Sequence, residues 1–232
     1  MTAYVTRRRA LKNMDRLSIE DAKSLQQALA AQVITQWSGD APAVVAGVDV
    51  SVQGGVAQAA VVALDFSTLQ IMDTATARAK PEFPYIPGFL AFREVPVILK
   101  AFEKLRPVPD LLVVDGHGLA HPRFCGLACH LGVTLDTPSI GCAKSRLVGE
   151  YREPDNARES ATYLIFQKRA VGRVVRTREG VKPVYISIGH KIDLDKAVEF
   201  VLRMTGRYRL PEPVRLAHKA AKLMVKARRG GG

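Results

Sequence analysis

Two aspartates follow apolar segments that read as buried strands, and a glutamate lies between them in the sequence. Asp49 follows the run VVAGV, Asp115 follows LLVV, and Glu94 is near the start of a helix predicted between the two. An unpaired carboxylate is costly to bury, so each aspartate is expected where its strand ends, which is where open α/β sheets bind ligands. If the strands are neighbours, Asp49 and Asp115 come within reach of one metal ion, and carboxylate oxygens favour magnesium or manganese. For each acid alone, an N-cap, an ion pair or a turn is the commoner role.

Such a carboxylate cluster predicts metal-dependent hydrolysis of a phosphodiester. Lys144, which follows SIGCA, could neutralise charge on the phosphate, although an ordinary surface lysine would look the same. His218 is placed on the basic side of the last predicted helix, opposite an apolar side of Leu216, Ala220 and Leu223. It is therefore either solvated or directed at the metal from a nucleic-acid groove, and spacing alone favours solvation.

The stretch PYIPGFLAFRE (84–94) contains two prolines, a tyrosine and a glycine directly before Glu94. Prolines this dense exclude a regular helix or a central strand. The stretch is therefore predicted to form a stiff exposed loop with an aromatic tip before the helix, and its residues 84–88 are called here the proline loop.

The chain of 232 residues has a formal net charge of +12, with basic clusters at residues 7–9 and 203–229. This excess favours a polyanionic partner, nucleic acid above all. No run of 18 apolar residues predicts a membrane span. The N-terminus lacks the apolar segment of a secretory signal, so the cytoplasm is the predicted location.

Three cysteines, an odd number, fit a reducing compartment rather than a disulfide framework. Cys125 and Cys129 lie near His121 and His130, and that spacing leaves a zinc site open. Small buried thiols, Cys142 included, are the favoured interpretation.

Hydrophobic periodicity predicts one α/β domain, a mixed sheet with helices on both faces. Ser18 and Asp193 are predicted N-caps. Pro96 is tolerated only in a first turn, which places the start of its helix near Glu94. Strands are predicted at 44–52, 56–65, 69–80, 111–118, 139–143, 162–167, 173–177 and 184–188, and helices at 18–37, from about 94 to 105, at 123–132, at 193–203 and after Pro213.

A series of motifs resembles the endonuclease V (deoxyinosine 3′-endonuclease) family over roughly residues 16–218. The motifs are GVDVS, PYIPGFLAFRE, DGHGLAHPR, GCAKSRL and RLPEPVRLAH, in family order. The resemblance implies a ribonuclease H-like fold. It divides the chain into a basic N-terminal segment (1–15), a catalytic domain (16–227) and a flexible tail (228–232).

The same resemblance implies a magnesium-dependent nuclease, with manganese as a substitute, that hydrolyses the second phosphodiester bond 3′ to deoxyinosine. The products carry 3′-hydroxyl and 5′-phosphate ends. The implied catalytic residues are Asp49, Glu94, Asp115 and Lys144, and the implied metal ligands are Asp49, Glu94, Asp115 and His218.

In such an enzyme Tyr85 would act as a wedge that fills the gap left by the flipped base. The implied substrate-binding residues are Pro84, Tyr85, Ile86, Pro87, Gly88, Leu90, Gly116, His121 and Gly126. The expected partner of this monomer is DNA containing deoxyinosine, with single-stranded DNA also possible and no membrane. An inosine-specific endoribonuclease and a non-catalytic sensor of modified nucleic acid are the alternatives, and the intact carboxylate set argues against the sensor.

Overall fold

In the computed structural model, which describes residues 17–226, eight strands form one mixed sheet flanked by helices. The strands are β1 (Val44–Gln53), β2 (Val56–Asp65), β3 (Ile71–Ala79), β4 (Leu111–Val114), β5 (Ser139–Ala143), β6 (Ala161–Phe166), β7 (Arg169–Val175) and β8 (Val184–His190). The helices are α1 (Ile19–Ala30), α2 (Leu90–Phe102), α3 (Leu127–Leu135), α4 (Leu194–Arg203) and α5 (Glu212–Lys226). The strand order is β3-β2-β1-β4-β5-β8-β7-β6.

The first three strands form an antiparallel meander, as the short turns between them predict. The central pairs β1–β4 and β4–β5 are parallel, and every other pair is antiparallel. Parallel neighbours need a crossover connection, and α2 and α3 provide the two crossovers. The carboxyl ends of β1, β4 and β5 therefore point towards the same edge.

Alternate residues of the central strands face two separate cores. Ala46 and Leu112 face the core shared with α1, α2 and α3, whereas Val45 and Leu111 face the core shared with α4 and α5. This alternation is why the central strands read as continuous apolar runs. The predicted α/β class, with a ribonuclease H-like mixed sheet and helices on both faces, is confirmed.

The predicted helix at 18–37 is too long, because α1 ends at Ala30. Ser18 is confirmed as its N-cap, accepting a hydrogen bond from the Asp21 amide at 3.0 Å. Beyond α1 the chain turns towards the opposite core, where the Trp37 ring meets the edge of Phe200 at 5.3 Å between centroids. Tertiary packing therefore overrides a helical pattern that continues in the sequence.

The helix expected to start near Glu94 starts at Leu90, one turn earlier, and holds Pro96 in its second turn. Burial of its apolar side against the sheet, through residues such as Phe92 and Ile98, compensates for the hydrogen bond that proline removes. The predicted helix at 123–132 begins only at Leu127 and ends at Leu135. The strand expected at 173–177 is β7, which begins at Arg169 and ends at Val175. Asp193 is confirmed as an N-cap, since its side chain accepts a hydrogen bond from the Lys196 amide at 2.9 Å.

Among residues 17–226, no helix combines the length and the apolar composition needed to cross a membrane. The N-terminal segment 1–15 and the tail 228–232 lie outside the described residues, as do Arg7–Arg9 of the first basic cluster.

Candidate functional site

The register of β1 and β4 brings Asp49 and Asp115 side by side. Val48 pairs with Val114 in the parallel ladder, and the Asp115 amide donates to the Val48 carbonyl at 2.9 Å. β4 ends at Val114, four residues before the end of the strand predicted at 111–118, and Asp115 directly follows it. Asp49 does not end its strand, however, because β1 continues to Gln53 by pairing with β2. Asp49 emerges because its neighbour β4 stops there.

His218 on α5 joins this pair. Its Nδ1 lies 2.8 Å from the Asp49 Oδ2, and its side chain is 35% exposed. The interpretation of His218 as a simply solvated residue is therefore wrong, since the imidazole faces a carboxylate of the cluster.

The predicted apolar side of α5 is correct for Leu216 and Ala220, which are half-buried and pack against the core, and wrong for Leu223. Leu223 is 53% exposed, and the fully buried residues of the helix are Val214, Ala217 and Ala221. Small residues face the sheet because the helix approaches β1 closely. A Cβ at Gly47 would lie 1.9 Å from the Pro213 carbonyl oxygen, so only glycine at this position lets the start of α5 rest on the strand. This contact places His218 over Asp49.

Asp49, Asp115 and His218 can hold a metal ion. One ligand atom from each lies within 4.8 Å of the others, and this is the one such cluster found in the described part of the chain. Burial and then Asp115 raise the pKa of Asp49, while its hydrogen bond with His218 lowers it. Hard oxygen donors next to an imidazole suit a divalent cation, which would relieve the repulsion between the carboxylates.

Glu94 is not one of these three ligands but belongs to the same electrostatic cluster. It lies in the second turn of α2 and is only 8% exposed. Burial, followed by the charges of Asp49 and Asp115, raises its pKa to about 8. Without a cation, this carboxyl is therefore protonated at neutral pH.

Lys144 follows β5 and its Nζ forms an ion pair with the Asp115 Oδ2, so it is not an ordinary surface lysine. The Lys144 carbonyl accepts a hydrogen bond from the Arg209 Nη2 at 2.7 Å, and the same Nη2 donates to the Pro183 carbonyl at 2.8 Å. Arg209 thereby links the end of β5 to the start of β8. Its place in a generally basic segment gave no sign of this role.

The proline loop leads into α2, the helix that carries Glu94, and its aromatic tip is in solvent. Tyr85 is 71% exposed, whereas Phe83 and Phe89 at the two ends of the loop are buried. The Arg93 Nη1 donates to the Phe83 carbonyl at 2.8 Å, and the Arg93 guanidinium lies 5.9 Å from the Tyr85 ring centroid. The predicted exposed, aromatic-tipped loop is thus present, and Pro84 and Pro87 are also exposed.

Other residues predicted to bind substrate line the base of the loop. Gly88 has a φ of +81°, and its carbonyl lies 3.0 Å from the His121 Nε2. The His121 Nδ1 accepts from the Arg123 amide at 3.2 Å, so the neutral ring carries its proton on Nε2 and donates to Gly88. Burial and then Arg123 lower the pKa of His121 to about 4, consistent with a neutral ring. Both ring nitrogens are therefore engaged within the protein.

The remaining predicted pocket residues lie around this point. The Gly126 amide donates to the Gly118 carbonyl at 2.9 Å, so it is not free to read a base. Ile86 packs partly against the core, Leu90 is 43% exposed, and Gly116 follows Asp115 in the turn after β4. Their role in binding a base stays a prediction.

The three cysteines are confirmed as buried thiols. Cys125 and Cys129 pack with Leu29 and Val133, and burial raises the pKa of the Cys125 thiol to about 12. Neither belongs to the metal cluster found among residues 17–226.

Comparison with known proteins shows which family the chain resembles in sequence. Residues 27–219 match the family model described as Endonuclease V. A curated relative, endonuclease V of Roseiflexus sp. (strain RS-1), is 50% identical over 204 residues, which cover 88% of this chain and 92% of that protein.

Solved structures agree in fold over nearly the whole chain. Endonuclease V from Streptomyces avermitilis superposes with a TM-score of 0.87 and 42% identity, covering 91% of this chain and 95% of that one. Endonuclease V from Ciona intestinalis, in complex with a 24mer DNA containing an inosine followed by a ribo-adenosine, superposes with a TM-score of 0.77 and 27% identity. That comparison covers 88% of this chain and 96% of the Ciona chain.

Proposed function

Because the chain belongs to the endonuclease V family, we propose that it is a DNA endonuclease that recognises deoxyinosine. It hydrolyses the second phosphodiester bond 3′ to the lesion and leaves 3′-hydroxyl and 5′-phosphate ends. The observation that carries the proposal is the cluster of Asp49, Asp115 and His218, together with a proline loop whose aromatic tip is exposed. The Ciona relative, which was solved with inosine-containing DNA, supports the same substrate class.

Asp49, Asp115 and His218 would hold a divalent cation, Mg²⁺ in the cell, with Mn²⁺ as a substitute. The donor set fits, since two carboxylates and an imidazole converge and the surrounding negative charge favours a cation. A bound Mg²⁺ would neutralise charge on the scissile phosphate and stabilise the leaving oxygen. Glu94 completes the negative charge around the ion, because a cation favours the ionised form of this buried carboxyl.

Lys144 would supply the second positive charge at the phosphate. Its ammonium group already reaches the Asp115 carboxylate, so it lies at the edge of the metal cluster. When the phosphate arrives, the ammonium group is close enough to neutralise charge that develops there. Arg209 holds the Lys144 backbone and thereby limits where that group can go.

Tyr85 would fill the gap left when the base leaves the stack. Extruding a base costs a few kcal/mol and costs least when the base is mispaired, which favours lesions such as hypoxanthine. A tip that is ordered before binding avoids part of the entropy cost of association. The protein would act as a monomer in the cytoplasm, with DNA as its partner.

The test is cleavage of a labelled duplex carrying one deoxyinosine, with Mg²⁺ and with chelator, beside the matching inosine RNA. We expect a Mg²⁺-dependent cut one nucleotide beyond the lesion in DNA. Asp115→Asn should abolish the cut, while Asp40→Asn, at an exposed position that does not belong to the metal cluster, should not.

Three other outcomes would change the proposal. A cut only in the RNA would keep the chemistry and make the protein an inosine-specific endoribonuclease. Binding without a cut in either substrate would make it a sensor of modified nucleic acid. Full activity in Asp115→Asn would overturn the metal assignment.

A further inference from the structure

A buried glutamine on α1 is connected to the base of the proline loop. Gln26 is 1% exposed because it lies on the buried side of the helix, between Ala22 and Leu29. It is unusual there because its side chain is polar. A buried amide without partners is destabilising, so its hydrogen bonds show what it does. Gln26 also lies immediately before the stretch of chain that matches the family model.

All of the polar atoms of Gln26 are engaged. Its Nε2 donates to the Cys125 carbonyl at 2.7 Å and to the Gly88 carbonyl at 3.2 Å. Its Oε1 accepts from the Arg123 Nε at 2.5 Å. The side chain therefore joins α1, the segment before α3 and the proline loop in one network, and such fully satisfied networks hold their parts rigidly.

The Gly88 carbonyl is where this network meets the loop. It accepts from Gln26, from the Arg123 Nη2 at 2.5 Å and from the His121 ring at 3.0 Å. The Arg123 guanidinium also stacks over the Phe89 ring, 4.1 Å from its centroid. Three donors on one carbonyl fix the position and direction of the peptide at which the loop ends.

The loop is thereby held at both ends. Arg93 holds the Phe83 carbonyl at the beginning, and the Phe83 ring packs 5.3 Å from that of Phe92. The Gln26–Arg123 pair holds the Gly88 carbonyl at the other end. Between these anchors, Tyr85 is 71% exposed, and the Arg93 guanidinium lies 5.9 Å from its ring centroid. The position of the tip therefore depends on the anchors more than on contacts of its own.

We propose that Gln26 is a positioning residue for base extrusion: with Arg123, it fixes the Gly88 carbonyl and so sets where Tyr85 meets the DNA. This inference rests on the proposed function. A small displacement of the tip is costly because a positioned group loses its effect when it is misplaced by about 1 Å. Gln26 itself touches neither the carboxylate cluster nor the DNA-facing tip.

The test compares two deoxyinosine duplexes, one with the lesion paired and one with the lesion in an unpaired bubble. The bubble removes most of the cost of extrusion, so only the paired substrate depends strongly on the wedge. Single-turnover cleavage rates are measured with Mg²⁺ for the wild type, Gln26→Met and the matched control Gln27→Met. Gln27 is the adjacent, exposed glutamine of the same helix.

We expect Gln26→Met to lower the rate on the paired duplex about ten-fold and the rate on the bubble by less than about three-fold. Gln27→Met should match the wild type on both. Equal losses on the two substrates would mean that Gln26 only supports the fold, and no loss on either would mean that it does not position the loop. Both results overturn the inference.

A second variant keeps the test decisive if Gln26→Met does not fold. Gln26→Glu keeps the acceptor for Arg123 and removes the amide that donates to Gly88 and Cys125. Gln26→Glu should also lower the cleavage rate more on the paired duplex than on the bubble. If the ratio of the variant rate to the wild-type rate is the same on both substrates, the inference is overturned. If the wild type cuts neither substrate, the proposed function fails. If the wild type cuts both and the variant cuts them at the same rates, only the inference about Gln26 fails.

Discussion

Replacing Glu94 by glutamine should stabilise the metal-free protein at alkaline pH while impairing its function. Burial and the charges of Asp49 and Asp115 raise the Glu94 pKa from 4.5 to about 8. The folded protein therefore retains a proton between these pH values that the unfolded chain has lost. The stabilisation from the neutral carboxyl is complete below pH 4.5 and is lost as the pH rises through about 8.

The size of the effect follows from the shift, since one pKa unit corresponds to about 1.4 kcal/mol. In chelator, the Glu94 carboxyl should reduce the free energy of unfolding by about 4 kcal/mol between pH 5 and pH 9. Glutamine has nearly the same shape and no charge, so Glu94→Gln should lack this part of the pH dependence. Mg²⁺ should stabilise the wild type at pH 9 more than the variant, because a cation favours the ionised carboxylate.

Urea unfolding in chelator measures, for each protein, how much the free energy of unfolding differs between pH 5 and pH 9. Subtracting the variant's difference from that of the wild type removes the contribution of the other titrating groups. A variant with the same pH dependence as the wild type would refute the electrostatic account of this cluster. Glu82→Gln, at an exposed position near the beginning of the proline loop, is the matched control and should behave like wild type.

Three further predictions concern the packing, the wedge and a buried histidine. Gly47→Ala should cost about 2 kcal/mol in urea unfolding and lower the cleavage rate by displacing α5, whereas Gly206→Ala, where a Cβ meets nothing within 4 Å, should do neither. Tyr85→Ala should lower cleavage of a paired deoxyinosine about ten-fold without changing the melting temperature, because this side chain is exposed. Burial lowers the His130 pKa to about 4, so the free energy of unfolding should fall by about 3 kcal/mol as the pH drops from above 6.5 to 4. His130→Asn, measured by urea unfolding, should not show this fall.

Local patterns predicted the elements around the site well where the deciding interactions are also local. The antiparallel meander follows from apolar runs separated by short turns, and the Ser18 and Asp193 caps follow from side-chain bonds within one turn. The stiffness of the proline loop follows from its own prolines. In each case the residues that determine the structure are neighbours in the sequence.

The predictions failed where contacts between residues far apart in the sequence determine where a helix ends or which side of it is buried. The helical pattern after Ala30 gives way because the chain crosses to the other core, where Trp37 packs against Phe200. Pro96 lies inside α2 because the surrounding core holds the helix together. The fully buried residues of α5 are Val214, Ala217 and Ala221, whereas Leu223 is exposed, because Gly47 brings the helix close to β1. Gln26 left one signal, a polar residue at the spacing of the buried side.

The sequence by itself determined which chemical groups the site contains: the carboxylates, the lysine, the histidine and the loop, in the order typical of the endonuclease V family. It could not place these groups in space, because His218 and Asp49 are 169 residues apart. Only the tertiary structure decided that they meet. The parallel register of β1 and β4 aligns Asp49 with Asp115, and close packing of α5 on β1 adds the imidazole. Strand pairing and packing between distant segments fix such distances, and neither is encoded in local spacing.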